Sequence, residues 1–123
     1  MNGTWLWLLV AVIAAAWFVP RLFFVSAESA RAHLQQGAVL VDVRTPEEYR
    51  GGHLPNAINI ALEELTARLP ARVPDRNQAV LLYCLSGARS GLARRQLKQL
   101  GYANVFNLGS YPRARRIVTA STR

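Results

Sequence analysis

Four short runs, "AVLVDV" (38–43), "NAINI" (56–60), "AVLLYC" (79–84) and "NVFNL" (104–108), are mostly apolar and are separated by stretches of helical patterning. Runs this short and this apolar suit strands buried on both faces. Alternating with helices, they predict an α/β fold, a small mainly parallel sheet flanked by helices, because parallel neighbours need crossovers and the crossovers cover the sheet. With 123 residues there is room for one such domain and one site.

The helices carry their own punctuation. Ser26 is placed to cap a helix through Gln36, with Glu28 in its first turn and Gly37 as its stop. Thr45, Pro46, Glu47 and Glu48 read as a helix start with acids on the positive end of the dipole, and Gly51-Gly52 ends it. "LEELTARL" (62–69) predicts a further helix and "PARVPDRNQ" (70–78) a proline-broken loop. In "RSGLARRQLKQLG", Leu92, Leu97 and Leu100 fall at roughly helical spacing, with Arg94, Arg95 and Lys98 opposite and Gly101 as terminator. "SYPRARRIV" predicts a last short helix with Ser110 near its cap and Pro112 in its first turn.

The first 25 residues differ from the rest. "WLWLLVAVIAAAWFV" (5–19) carries no charge, and Leu22, Phe23, Phe24 and Val25 follow Pro20 and Arg21. As one helix these residues would cover about 30 Å, with Arg21 snorkelling and Trp5, Trp7 and Trp17 at headgroup depth. The expected organisation is therefore a single-pass transmembrane anchor (1–25), a domain (26–118) and a basic tail (119–123). A cleaved signal peptide is the rival, since Val25-Ser26-Ala27 loosely fits a cleavage site; no Lys or Arg precedes the apolar run, however, and Arg21 sits where such a region should be neutral. Positive charge follows the span, so the positive-inside rule expects the domain in the cytoplasm; export after signal cleavage is the alternative.

Fifteen Lys and Arg against seven Asp and Glu give a net charge of +8, mostly downstream of Ala67. That excess suggests an anionic partner: a membrane surface, nucleic acid or a small anionic substrate. Nucleic acid is disfavoured, because no helix-turn-helix, zinc-finger or aromatic-interleaved basic pattern occurs.

Cys84 is the only cysteine, which excludes an internal disulfide framework and a four-cysteine zinc site. With only His33 and His53 as other soft ligands, no metal and no cofactor is expected. The thiol is either an inert buried residue or a reactive group. Its place favours reactivity: it ends a strand, where ligands bind in parallel α/β sheets. Leu85, Ser86, Gly87, Ala88, Arg89 and Ser90 then lead into a helix, and this loop can curl so that backbone N–H groups converge on one point. Amides, helix dipole and Arg89 would together favour a thiolate.

Three pieces of sequence in this order, "VDVRTPEEYRGGHLPNAINI" (41–60), "LLYCLSGARS" (81–90) and "LGYANVFNLGS" (100–110), resemble the rhodanese family of sulfurtransferases over about residues 26–111. The resemblance implies that Cys84 accepts a sulfane sulfur from a thiosulfate-like or persulfide donor, holds it as a persulfide and yields it to a thiol or cyanide. It implies that Leu85, Ser86, Gly87, Ala88, Arg89 and Ser90, with Arg44, bind the substrate, Arg89 as the anion contact. Asp42 and Glu48 would be structural support, Asp42 bracing loop backbone and Glu48 pairing with Arg44 across the rim. The related phosphatase loop has arginine six residues after cysteine; here that position is Ser90, so the loop has the shorter sulfurtransferase length. His53, in "GGHLPNA", falls to turn structure, since thiolate attack on a sulfane sulfur needs no base, and His33 to the surface. The chain departs from the family's pattern at Ser110 and in "YPRARRIVTASTR", whose Arg113, Arg115, Arg116 and Arg123 could rest on anionic lipid. The rival function is a non-catalytic module of the same family that tethers a partner at the membrane; the presence of Cys84 favours the enzyme.

Overall fold

The structure, a computed structural model, describes residues 3–121, apart from the side chains of residues 20–22 and 121. The roles expected of Arg21 and Arg123 fall outside that description. A 20-residue helix α1 (Thr4–Phe23) and α2 (Ala27–Gln35) precede strand β1 (Val39–Asp42), α3 (Pro46–Arg50) and β2 (Ile58–Asn59). A 3-10 turn (Leu62–Glu64) runs into α4 (Leu65–Arg72), and then β3 (Val80–Cys84), α5 (Ala88–Gln99), β4 (Val105–Ser110) and α6 (Tyr111–Ser121) complete the order. All four strands are parallel, in the order β2-β1-β3-β4.

The period-two alternation of β3 sets up two cores. Val80, Leu82 and Cys84 face one side, where Leu65, Leu69, Ala93 and Leu97 from α4 and α5 pack with Val41 and Val43. Leu81 and Tyr83 face the other, against Ala30 of α2 and Ala114, Ile117 and Val118 of α6. All five β3 residues are buried, as a central parallel strand requires. Cys84 therefore arrives at the carboxyl end of the innermost strand, beneath the start of α5.

The capping signals work as written. Ser26 Oγ accepts from the Ser29 N–H at 3.1 Å, and Thr45 and Glu48 form a reciprocal capping box on α3. Ser110 Oγ accepts the Arg113 N–H at 3.2 Å, starting α6. Two elements run past their expected ends. Helix α4 continues through Pro70 to Arg72, because Leu65, Leu69 and Val73 all bury on one face and outweigh the single amide donor that proline lacks. Helix α6 extends to Ser121.

The membrane anchor expected at the N-terminus finds no support in the structure. Among the described residues no helix is long and apolar enough to cross a membrane. The charge-free run has fifteen residues, which as a helix is about 22 Å long against the ~30 Å of a hydrocarbon core. Helix α1 carries on past this run to Phe23, and of the apolar residues expected to lengthen the span only Phe24 and Val25 leave the helix and pack on the domain. The Phe24 ring lies against Gly87 and Gly109, and Val25 joins the α2–α6 core, its N–H donating to Asn107 O at 2.9 Å. What α1 presents instead is an exposed apolar surface, with Trp5, Trp7, Trp17 and Phe18 each more than 60% exposed.

Candidate active site

The loop after β3 curls around the Cys84 sulfur. The N–H of Gly87 points at Sγ from 3.0 Å and the N–H of Ser90 from 3.4 Å, with Ser90 Oγ also at 3.4 Å. Gly87 can donate this way because it stands at φ +100°, a left-handed conformation that also makes it the N-cap of α5. A side chain there would also meet Phe24, since a Cβ would lie 2.8 Å from the ring. Burial pushes the Cys84 thiol up, but the Ser90 hydroxyl and the N–H groups of Ser90, Gly87 and Ser86 more than offset it, so the thiol lies below its ordinary 9.0. Ser90 has one hydroxyl proton and its nearest acceptor is Asn107 Oδ1 at 2.7 Å. We therefore assign the resting depression chiefly to the amides, with the hydroxyl free to turn to sulfur on ionisation.

Asn107, on β4, was not singled out by sequence. It is 2% exposed, and its amide orientation is fixed by three partners: Oδ1 accepts from Ser90 Oγ and, at 2.8 Å, from the Gly109 N–H, while Nδ2 donates to Gly87 O at 3.1 Å. The bulge in β4, where Leu82 pairs with Asn107 but Tyr83 with Gly109, turns the Gly109 amide back to that side chain. The sequence signal was an Asn in a strand pattern two residues before a Gly. Asn59 was also missed; its Nδ2 donates to Asp42 O at 3.0 Å and Arg44 O at 2.9 Å, fixing the backbone between them.

The expected Arg44–Glu48 pair is replaced by two others. Asp42, wholly buried, takes Arg44: Nε donates at 3.0 Å to Oδ1 and Nη2 at 2.7 Å to Oδ2, while the Arg44 N–H donates to Oδ1 at 2.9 Å. Arg44 is 4% exposed, its Nη2 also reaches Gly52 O at 2.7 Å, and its guanidinium lies 4.6 Å from the Tyr111 ring centre. Arg44, two residues past the end of β1, folds back onto the carboxylate of the strand's last residue rather than out to the rim. Glu48 takes Arg89, in a parallel fork with Nη1–Oε1 at 2.7 Å and Nη2–Oε2 at 3.0 Å. The Arg89 guanidinium, ahead of the Thr45 amide, holds the Glu48 carboxyl down at about 2.

Of the other loop residues, Leu85, Ser86 and Ala88 are exposed, and the Ser86 backbone bridges to Ser110. His53 stacks on Tyr49 at 3.6 Å between ring centres, its Nδ1 2.8 Å from Tyr49 O, away from Cys84 in the turn before β2. His33 is half-buried, stacked on Phe106 at 4.4 Å. Arg113 turns inward to the carbonyls of Leu108 and Val25 rather than outward to lipid; Arg115 and Arg116 are exposed.

A strand-end cysteine ringed by amides at the mouth of a four-stranded parallel sheet defines the class: residues 26–113 match the Rhodanese-like domain, and the chain belongs to that family. It is 45% identical over 69 residues to the thiosulfate sulfurtransferase PspE of Escherichia coli K12, covering 56% of this chain and 66% of that relative. Among solved structures it resembles a rhodanese with anions from E. coli (TM-score 0.61, 40% identity, 63% of this chain and 91% of the other). The human single-domain sulfurtransferase TSTD1 is similar as well (TM-score 0.66, 31% identity, 75% and 94%).

Proposed function

We propose that the protein is a rhodanese-type sulfurtransferase carrying sulfane sulfur on Cys84. The observation that supports it is the pair of N–H groups, from Gly87 at 3.0 Å and Ser90 at 3.4 Å, aimed at one sulfur atom whose thiol is held low. The thiolate attacks the outer sulfur of a thiosulfate-like or persulfide donor; a new S–S bond forms, the donor's S–S bond breaks, and sulfite or a thiolate leaves with the electron pair. The same amides then bear on the anionic outer sulfur of the Cys84 persulfide. A cyanide or thiolate acceptor attacks that sulfur, giving thiocyanate or a new persulfide and returning the Cys84 thiolate. Relatives of the same family that are sulfurtransferases support the reading.

Cys84 has no exposed surface at rest, so a donor reaches it only as rim side chains give way. The exposed apolar surface of α1 supports association with a membrane, and the positive charge that follows it supports a domain on the cytoplasmic side. The test is the intact mass of the full chain after thiosulfate treatment. One added sulfur atom, removed by cyanide and missing in a folded Cys84→Ser variant, is expected; an unchanged mass with every donor offered refutes the assignment.

A further inference from the structure

The two arginines expected to draw an anion to the loop are both spent on carboxylates. Arg44 lies in a fork with Asp42, and Arg89 in a fork with Glu48. The second pair is held in place from both ends. Glu48 belongs to the capping box of α3, where Oε1 also accepts the Thr45 N–H at 3.0 Å and the Glu48 N–H donates to Thr45 Oγ1 at 3.2 Å. Arg89 sits in the first turn of α5. Neither partner is loose: their side chains are 28% and 34% exposed, and both oxygens and both terminal nitrogens are engaged. These four charged groups sum to zero, so beside the sulfur the attraction for an anion falls to the backbone amides and the N-terminus of α5, with exposed Arg95 further along the cavity that Ser86 and Gly87 line. The amides and the helix carry only partial charge, about half a unit for the helix, whereas an uncompensated Arg89 would add a full unit that counts twice as much for a dianion as for a monoanion.

Resting on the sulfurtransferase reading, we propose that Glu48 is a specificity-determining residue: by holding Arg89 in a bidentate fork, it makes the site favour singly charged sulfur donors, alkyl persulfides and thiosulfonates, over doubly charged thiosulfate. With Glu48 in place, a braced carboxylate offsets the Arg89 charge, and that loss weighs twice as heavily on a dianion as on a monoanion. A monoanion is served by the amides and leaves the fork closed.

The test uses the full chain and two donors of nearly the same shape, thiosulfate and methanethiosulfonate, with cyanide as acceptor. Glu48→Gln is the variant, since glutamine preserves the capping-box acceptor while releasing the charge of Arg89. The ratio of kcat/KM for thiosulfate to that for methanethiosulfonate is expected to rise by at least about fivefold, carried by KM, and the rise to vanish in Glu48→Gln/Arg89→Gln. A second measurement needs no turnover: protection of Cys84 from iodoacetamide by sulfate, which should need about fivefold less sulfate in Glu48→Gln than in the native chain. A donor ratio and a sulfate dependence that both stay put in a folded Glu48→Gln protein overturn the proposal. Should the native chain take sulfur from neither donor, the sulfurtransferase reading falls, and the sulfate protection still decides whether Glu48 governs anion charge.

Discussion

Replacing Asn107 with alanine tests whether β4 holds the catalytic loop. The change removes three hydrogen bonds in a site 2% exposed: from Ser90 Oγ at 2.7 Å, from the Gly109 N–H at 2.8 Å and to Gly87 O at 3.1 Å. Their losses differ in kind. Gly87 O keeps the helical N–H of Gly91 at 3.0 Å, and the Ser90 hydroxyl can turn to Gly87 O at 3.2 Å, so each of these costs about 1 kcal/mol or less. The Gly109 N–H is left buried without its acceptor, at about 1–3 kcal/mol. The sum is about 3 kcal/mol, a large share of the roughly 5–15 kcal/mol that stabilises a domain. In urea, with a slope of about 1.5 kcal/mol per molar, the unfolding midpoint should fall by about 2 M. The same variant should react more slowly with iodoacetamide at neutral pH, since Gly87 would lose one of the bonds that hold it while it donates to Cys84, and the Ser90 hydroxyl, turned to Gly87 O, would turn away from sulfur. A loss under about 1 kcal/mol with unchanged alkylation refutes the reasoning, for it would mean that Asn107 restrains nothing.

Ser90→Ala should slow Cys84 alkylation at pH 7 and move its pH midpoint upward, as read by iodoacetamide kinetics, with the amides of Gly87 and Ser90 still holding it below the ordinary 9.0. The Glu48 carboxyl is lower in the folded chain, about 2, than its ordinary 4.5, so its contribution to stability is whole above 4.5 and is lost as pH falls through about 2. The gap in urea midpoint between the native chain and Glu48→Gln should therefore shrink across that window and stay constant above it. Full-length protein should float with vesicles containing anionic lipid, and Trp5→Ser/Trp7→Ser/Trp17→Ser should weaken that binding at least about tenfold; equal flotation of both would remove α1 from the interaction.

The fold was legible where one local signal sufficed. The continuous apolar run "VLLYC", the helix start at Thr45 and the Ser26 cap each read directly from a few adjacent residues. Pro70 misled because a loop signal in sequence competes with the burial of Leu65, Leu69 and Val73, and that burial appears only once the sheet exists. Cys84 and its loop were legible as a junction of strand and helix. The partners of Arg44, Glu48 and Arg89 were not, since two acids and two bases near one loop admit more than one pairing and the choice depends on where α3 and α5 point. Asn107 was invisible for the same reason: its role comes from a bulge in β4 that brings it beside a loop 17 to 20 residues away in sequence. At the N-terminus, Phe24 and Val25 were counted as lipid-facing length and are claimed by the domain, a packing that their apolar character alone does not distinguish from contact with lipid.

The junction at residues 24–25 leaves no slack. Helix α1 ends at Phe23, Phe24 is already wedged between Gly87 and Gly109, and Val25 is pinned to Asn107 and Arg113. The sulfur centre thus rides on a stub instead of a leash. Wherever α1 settles, the reactive loop settles beside it, within the reach of one aromatic ring, and any partner carrying sulfur to or from it has to come to that spot.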